Sequence, residues 1–293
     1  MAVSDQIERI KTNIANAYTT AESIGATIPE LQNSENLSTT IGTIPTGGGS
    51  PIVKGLIIDE VDDNGFVIAA HIEGMENIPS YYCYQLVTST TLFSKATVTI
   101  GEGTRRLGNS SFGGSQSFTQ PFVLPNTIEY IDTSAFTGNR MMKWGYLKLP
   151  SALTYLGSFA FYNNTKLEGL TIPEGVTAIN SSLCAADTAL KRVYIKGDIT
   201  TIASQAFASC PIQVLVLSGI TSAATLSSEL ITNTTGLENP ADDIAGGLAG
   251  IYVPDDIMDA VITAWIEAGY GETANQVAPL STIQEYLTED EIL

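Results

Sequence analysis

The feature that most constrains this chain is a repeat of 22 to 25 residues running through its middle. The units open at Val98-Thr99-Ile100, Phe122-Val123-Leu124, Leu147-Lys148-Leu149, Leu170-Thr171-Ile172, Val193-Tyr194-Ile195 and Leu215-Val216-Leu217. Seven residues after each of the first five triplets stands an aliphatic: Leu107, Ile131, Leu156, Ile179 and Ile202. Five residues beyond those stand Phe112, Phe136, Phe161, Cys184 and Phe207. An apolar–outward–apolar triplet reads as a short strand with two side chains directed inward. Pro125, Pro150 and Pro173, or Gly101 and Gly197, mark a turn after it. The chain then returns along a second edge and inserts its phenylalanine. One unit of this size cannot bury its own apolar face, whereas stacked units share a continuous core. The expectation is an elongated stack over residues 98–217 with a stabilising Phe column. Cys184 takes a Phe position and Cys210 closes the next unit, so both read as buried, inert core thiols.

Two stretches carry a family likeness. Leu170-Thr171-Ile172-Pro173-Glu174-Gly175-Val176-Thr177-Ala178-Ile179 and Leu156-Gly157-Ser158-Phe159-Ala160-Phe161 resemble the BspA-like leucine-rich repeats of bacterial surface proteins. Those units run approximately I-P-x-x-V-T-x-I-G-x-x-A-F-x-x-C-x-x-L. The likeness spans about Val98 to Leu217. It departs at Asn180-Ser181-Ser182-Leu183-Cys184, where G-x-x-A-F is usual, and in longer loops after Phe112 and Phe136. The resemblance implies a β-rich leucine-rich-repeat solenoid that binds other molecules and has no active site.

The flanks of residues 98–217 read as separate pieces. In residues 54–97, two apolar runs, Gly55 to Val61 and Phe66 to Ile72, surround Asp62-Asp63-Asn64-Gly65. Asn-Gly between apolar runs is a hairpin signal, so this segment is expected to form a β-hairpin cap. The same acids partly mimic a calcium loop, but Glu60 and His71 stand where Asp and Glu are required, and no helix flanks them. Residues 218–293 are expected to form a C-terminal β/α cap. There Gly250-Ile251-Tyr252-Val253-Pro254 restarts a strand, and Asp255 caps a helix to Ala268 with a stripe of Ile257, Val261, Ile262 and Trp265. Residues 218–249 read as loops with a short helix, and the tail from Thr288 as frayed. The strand-and-helix ending is similar to the closure of BspA-like proteins.

Residues 1–45 carry a different pattern. Ile7, Ile10, Ile14, Ala17, Ala21 and Ile24 follow the alternating three–four spacing of a heptad seam. Isoleucine at both seam positions favours three or more parallel strands, so the segment is expected to oligomerise, with a homotrimer as the expected state. The alternative is an amphipathic helix docked on its own chain. A Gly/Pro linker, residues 46–53, follows. Ile10 to Tyr18, Gly25 to Pro29 and Asn36 to Ile41 together resemble the N-terminus of tail-associated proteins in phages and prophages of Gram-positive bacteria. That resemblance implies a helical attachment segment anchoring the chain to other tail or baseplate proteins.

Charge narrows the partners. The net charge of −18 repels phosphate backbones and anionic lipid, which argues against nucleic acid or membrane insertion. Lys196 is the last basic residue, and the 97 residues after it carry acids only. This is a solubilising surface or one that docks on a basic partner. Three scattered cysteines make neither a disulfide framework nor a zinc site. Met1 to Lys11 contains no apolar leader, and no stretch approaches the ~20 apolar residues of a membrane span. Export by the ordinary secretory route is therefore not expected.

Catalytic chemistry lacks its parts. His71 is the one histidine and lies in a hairpin strand, and Gly47-Gly48-Gly49 is linker rather than phosphate loop. Paired carboxylates acting on a polysaccharide stay open, in the form of a tail depolymerase. The expectation is a non-enzymatic protein with no cofactor or metal: a phage tail-tip, fibre or baseplate component located on the virion. It would recognise a host cell-surface glycan or protein through its repeats. The competing reading is a bacterial adhesin on the cell surface. Outward side chains are the candidate binding residues. They are Lys148 and Tyr194 (with Thr171) beside the triplets, and Arg106, Tyr130, Tyr155 and Thr201 on the return edge. Tyr130 and Tyr155 fall on adjacent rungs and form either an aromatic ligand platform or ordinary cross-rung packing.

Overall fold

The computed structural model describes residue 15 and residues 55–283, apart from 65, 74, 86–92, 115–117, 204, 224–249, 268 and 270–275. The heptad seam from Ile7 to Ile24, the linker, the loops of 224–249 and the tail beyond 283 lie outside the described residues.

The repeat folds as a β-solenoid of about seven turns. Alternation places the strands. Its first sheet holds β1 (Leu56–Val61), β2 (Val67–Ile72) and β4 (Thr97–Ile100). β1 and β2 are antiparallel, as the hairpin signal requires, and β2 pairs in parallel with β4. Asp62 fastens the hairpin turn: one carboxylate oxygen accepts the backbone N–H of Asn64 at 2.9 Å and of Phe66 at 3.0 Å. Its other oxygen accepts Lys95 Nζ at 2.9 Å.

The return edges build a second ladder from β3 (Asn77–Ile78), β5 (Arg106–Leu107), β6 (Tyr130–Ile131) and β8 (Tyr155–Leu156), all parallel. It continues as a separate pair, β10 (Ala178–Ile179) with β12 (Thr201–Ile202). The break falls at the sequence departure: Asn180 stands where the repeat prefers Gly, and its side-chain amide donates to the Leu156 carbonyl at 2.6 Å. At the equivalent rungs the backbone N–H of Gly157 and Ala203 makes that bond.

The last four triplets, joined by two strands from the C-terminal segment, form a six-stranded parallel sheet: β7 (Gly145–Lys148), β9 (Leu167–Ile172), β11 (Arg192–Ile195), β13 (Val214–Leu217), β14 (Gly250–Val253) and β15 (Val277–Pro279). The second triplet, at Phe122 to Leu124, departs from expectation. It contributes one bridge, Val123 to Thr99, rather than a strand. Pro121 and Pro125 bracket it, and proline has no N–H to extend a ladder.

Inward residues from both edges share one buried cluster. Phe112, Phe136, Phe161, Cys184 and Phe207 are fully buried. Phe136 stacks on Phe112 at 5.4 Å and on Phe161 at 5.3 Å, nearly parallel to both. Three residues past Phe136, Phe161, Cys184 and Phe207 lies a buried polar or thiol column of Asn139, Asn164, Asp187 and Cys210. Asn164 shows its use. Its amide donates to the carbonyls of Phe161 and Phe136, while its Oδ1 accepts the Trp144 indole N–H at 2.8 Å. Each return also holds two left-handed residues: Ser110, Ser134, Phe159, Ser182 and Gln205, then Gly114, Gly138, Asn163, Ala186 and Ser209. These pairs bracket the Phe position, one two residues before it and one two residues after.

At the far end, β14 and β15 extend the large sheet, and helix α1 (Met258–Glu267) buries Val261 and Trp265. The helix starts three residues later than the sequence predicts. Asp255 does not cap it; its carboxylate accepts the Ser281 backbone N–H at 3.1 Å, fastening β14 to the segment after β15. Hydrogen bonding to Ser281, from its side chain first and its backbone N–H second, holds the carboxyl below the usual carboxylate range.

Candidate binding face

Arg106, Tyr130 and Tyr155 each precede an inward aliphatic on the return edge, so alternation points them outward. The register sets them side by side: Arg106 opposite Tyr130, and Tyr130 opposite Tyr155. The two tyrosines are 39% and 43% exposed, with ring centroids 6.3 Å apart and planes tilted by 37°. The Arg106 guanidinium lies 5.6 Å from the Tyr130 centroid. Two bonds of 2.8 and 3.0 Å tie it to the Asp132 carboxylate. A fork-to-fork pair of this kind fixes the guanidinium plane, so Arg106 stiffens the row instead of offering a free charge. Two adjacent rings with outward faces can stack on a sugar or an apolar peptide side chain.

The remaining candidates do not join this row. Thr201 is exposed but pairs with Ala178, beyond the break after β8, so a methyl separates it from Tyr155. Lys148 is exposed on the large sheet, opposite Thr171, which is opposite Tyr194. Tyr194 is a correction. It is only 9% exposed, because Val214, Val216, Tyr252 and Ile283 gather with it in a second buried cluster on the outward side of the sheet. Outward alternation there leads into packing rather than solvent.

Residues that sequence reasoning passed over stand on the same sheet. Tyr146 is 51% exposed, opposite Gly169, which is opposite Arg192. A Cβ on Gly169 would lie 2.3 Å from the Tyr146 ring, so the ring leans across the glycine. It meets the Arg192 guanidinium 5.7 Å from its centroid. A glycine inside a strand marks such an approach, and that was the legible signal. Away from that sheet, in the turn after β8, Phe159 and Tyr162 form an exposed edge-to-face pair at 5.8 Å.

Among the described residues, the histidine is engaged and the cysteines are buried. His71 Nδ1 lies 2.8 Å from Asp59, whose hydrogen bond raises the imidazole above its usual value. All three cysteines are buried. Burial lifts the thiols of Cys83 and Cys184 well above the usual range and that of Cys210 to about 12, so none is a thiolate at neutral pH. Asp187 is likewise pushed well up by burial. One of its oxygens accepts the Asn164 N–H at 2.5 Å, and the other has no hydrogen-bond partner. Among the described residues no group of three or more His, Cys, Asp or Glu could hold a metal ion.

A family model described as "BspA type Leucine rich repeat region" matches residues 77–235 in six copies. No curated protein matches the chain. Among solved structures, it is similar to the pneumococcal vaccine antigen PcpA, with 16% identity and a TM-score of 0.39 over 74% of this chain and 41% of that one. It is also similar to a leucine-rich cell surface protein from Faecalibacterium prausnitzii A2-165, with 15% identity and a TM-score of 0.25 over 59% of this chain and 70% of that one. The chain thus spans less than half the length of the pneumococcal antigen.

Proposed function

From the premise that this chain belongs to the BspA-type leucine-rich-repeat family, we propose that it is a non-enzymatic recognition protein that binds a host cell-surface glycan or protein. The observation that carries this is the exposed, in-register row of Arg106, Tyr130 and Tyr155. Rings held at rung spacing on a stiff solenoid give ligand contact at little entropic cost. A stack of strands presents a surface rather than a cleft, and the engaged histidine and protonated thiols support a role without catalysis.

In this reading residues 1–45 attach the chain, as a trimer, to tail or baseplate proteins of a phage particle, and residues 218–293 close the array. The N-terminal likeness to tail-associated proteins supports the virion placement. The repeats' likeness to bacterial surface proteins supports the second reading, a cell-surface adhesin, at least as well. Both require the same binding row. Labelled full-length protein should bind intact cells of the cognate bacterium, and Tyr130→Ala with Tyr155→Ala should abolish binding while leaving the circular dichroism unchanged. Retained binding in the folded double variant would refute the row. Antibody label on tails of purified particles supports the virion, and label on the bacterial wall alone supports the adhesin.

A further inference from the structure

The outward face of the large sheet carries a second, differently built surface. The chain has a net charge of −18, yet residues 140–196 hold seven basic residues against three acidic ones. Among the described residues, the basic side chains nearer the N-terminus are paired. Lys95 pairs with Asp62, Arg105 with Glu129 and Arg106 with Asp132. Lys148, Arg192 and Lys196, on the large-sheet side, make no ion pair among the described residues.

Two of these cations are set against aromatic rings. Arg192 lies beside Tyr146, and Lys196 lies 5.3 Å from the Tyr194 centroid. An arginine stacked on a ring keeps its N–H edges free for an oxyanion. Lys148 stands on the same strand as Tyr146, two residues away, so the cations spread over three rungs, roughly 10 Å. That spread suits a chain with repeated charges better than a single small anion. Tyr146 adds a second requirement. Backed by Gly169 and half exposed, its ring lies beside Arg192, two residues along the strand from Lys148, where its exposed part can meet the C–H face of a sugar.

We propose that Tyr146, Lys148, Arg192 and Lys196 form a binding site for an acidic polysaccharide, with the ring taking a sugar face and the cations its acid groups. The surrounding negative charge repels every polyanion, so the ring contact is what separates an acidic polysaccharide from a polyanion without a sugar face. This site is independent of the Tyr130 row and stands on the opposite edge of the core.

The test is binding of full-length protein to polygalacturonate, dextran sulfate, neutral dextran and inorganic polyphosphate. The two acidic polysaccharides should bind, with affinity falling about tenfold or more as salt rises from about 50 to about 300 mM. Neutral dextran should not bind, and polyphosphate should bind at least about tenfold more weakly, the equivalent of ~1.4 kcal/mol. Lys148→Glu with Arg192→Glu should lower affinity at least tenfold. Gly169→Ala, which forces the flexible ring aside without requiring a new backbone conformation, should lower it severalfold at unchanged thermal stability. Tyr130→Ala with Tyr155→Ala should leave it intact. Binding of polyphosphate as tight as polygalacturonate, no binding of either acidic polysaccharide, or indifference to the Lys148/Arg192 variant would each overturn the proposal.

Discussion

Replacing Phe136 with alanine tests the physical basis of the stack. The ring is fully buried and lies between Phe112 at 5.4 Å and Phe161 at 5.3 Å. Trp144 meets it edge-on at 5.4 Å, and Phe122 lies 6.0 Å away. Removing the ring forfeits its transfer free energy, about 2–3 kcal/mol. It also forfeits four aromatic contacts, each worth about 0.5–1.5 kcal/mol beyond area, part of which relaxation recovers. Relaxation is limited here: Phe112 and Phe161 are each fixed by their own rungs, and Trp144 is held through its indole bond to Asn164. The cavity therefore stays largely open, which places Phe136→Ala in the upper part of the usual range, about 4–5 kcal/mol. Phe207→Ala, whose preceding rung offers Cys184 instead of a ring, should cost less, about 3 kcal/mol. Urea or guanidinium unfolding with linear extrapolation reads both. A loss below about 1 kcal/mol for Phe136→Ala, or a larger loss at Phe207, would refute the reasoning that the ring column carries the stack.

Two further predictions concern titration. Asp187 is raised by burial, so the folded state keeps a proton that the unfolded state releases near the ordinary 3.8. Its contribution to stability therefore falls as pH rises from that value through the folded one. Asp187→Asn keeps the acceptor for the Asn164 N–H and should raise stability at pH 7 by on the order of 1–3 kcal/mol. In thermal melts the gain should vanish toward pH 4; a gain independent of pH, or a loss at neutral pH, would exclude this account. His71 should titrate above 6.5 in NMR because Asp59 holds its charged form. Its contribution is present below 6.5 and lost as pH rises through the folded value, and Asp59→Asn should move the midpoint down. An unmoved midpoint would assign the shift elsewhere.

The inward half of this protein was legible in its sequence. Leu107, Ile131 and Leu156, and the Phe column after them, fall into register because an inward position depends only on local period and strand alternation, and both repeat. The hairpin joining β1 to β2 and the Val261–Trp265 stripe were legible for the same local reason. The outward half was decided in three dimensions. Tyr130 and Tyr194 look alike as outward tyrosines followed by an inward isoleucine, yet one is an exposed ring and the other is packed against Tyr252 and Ile283, which lie far along the chain. Tyr146, Gly169 and Arg192 stand one residue before successive triplets and so share a rung position, but that the Tyr146 ring leans across Gly169 to meet Arg192 only the folded stack shows. Asp255 stands before its helix like a cap, but tertiary placement of Ser281 captures its carboxylate. A period fixes what a side chain turns away from solvent. What an outward side chain meets depends on neighbouring rungs and distant segments, and only the folded stack brings those together.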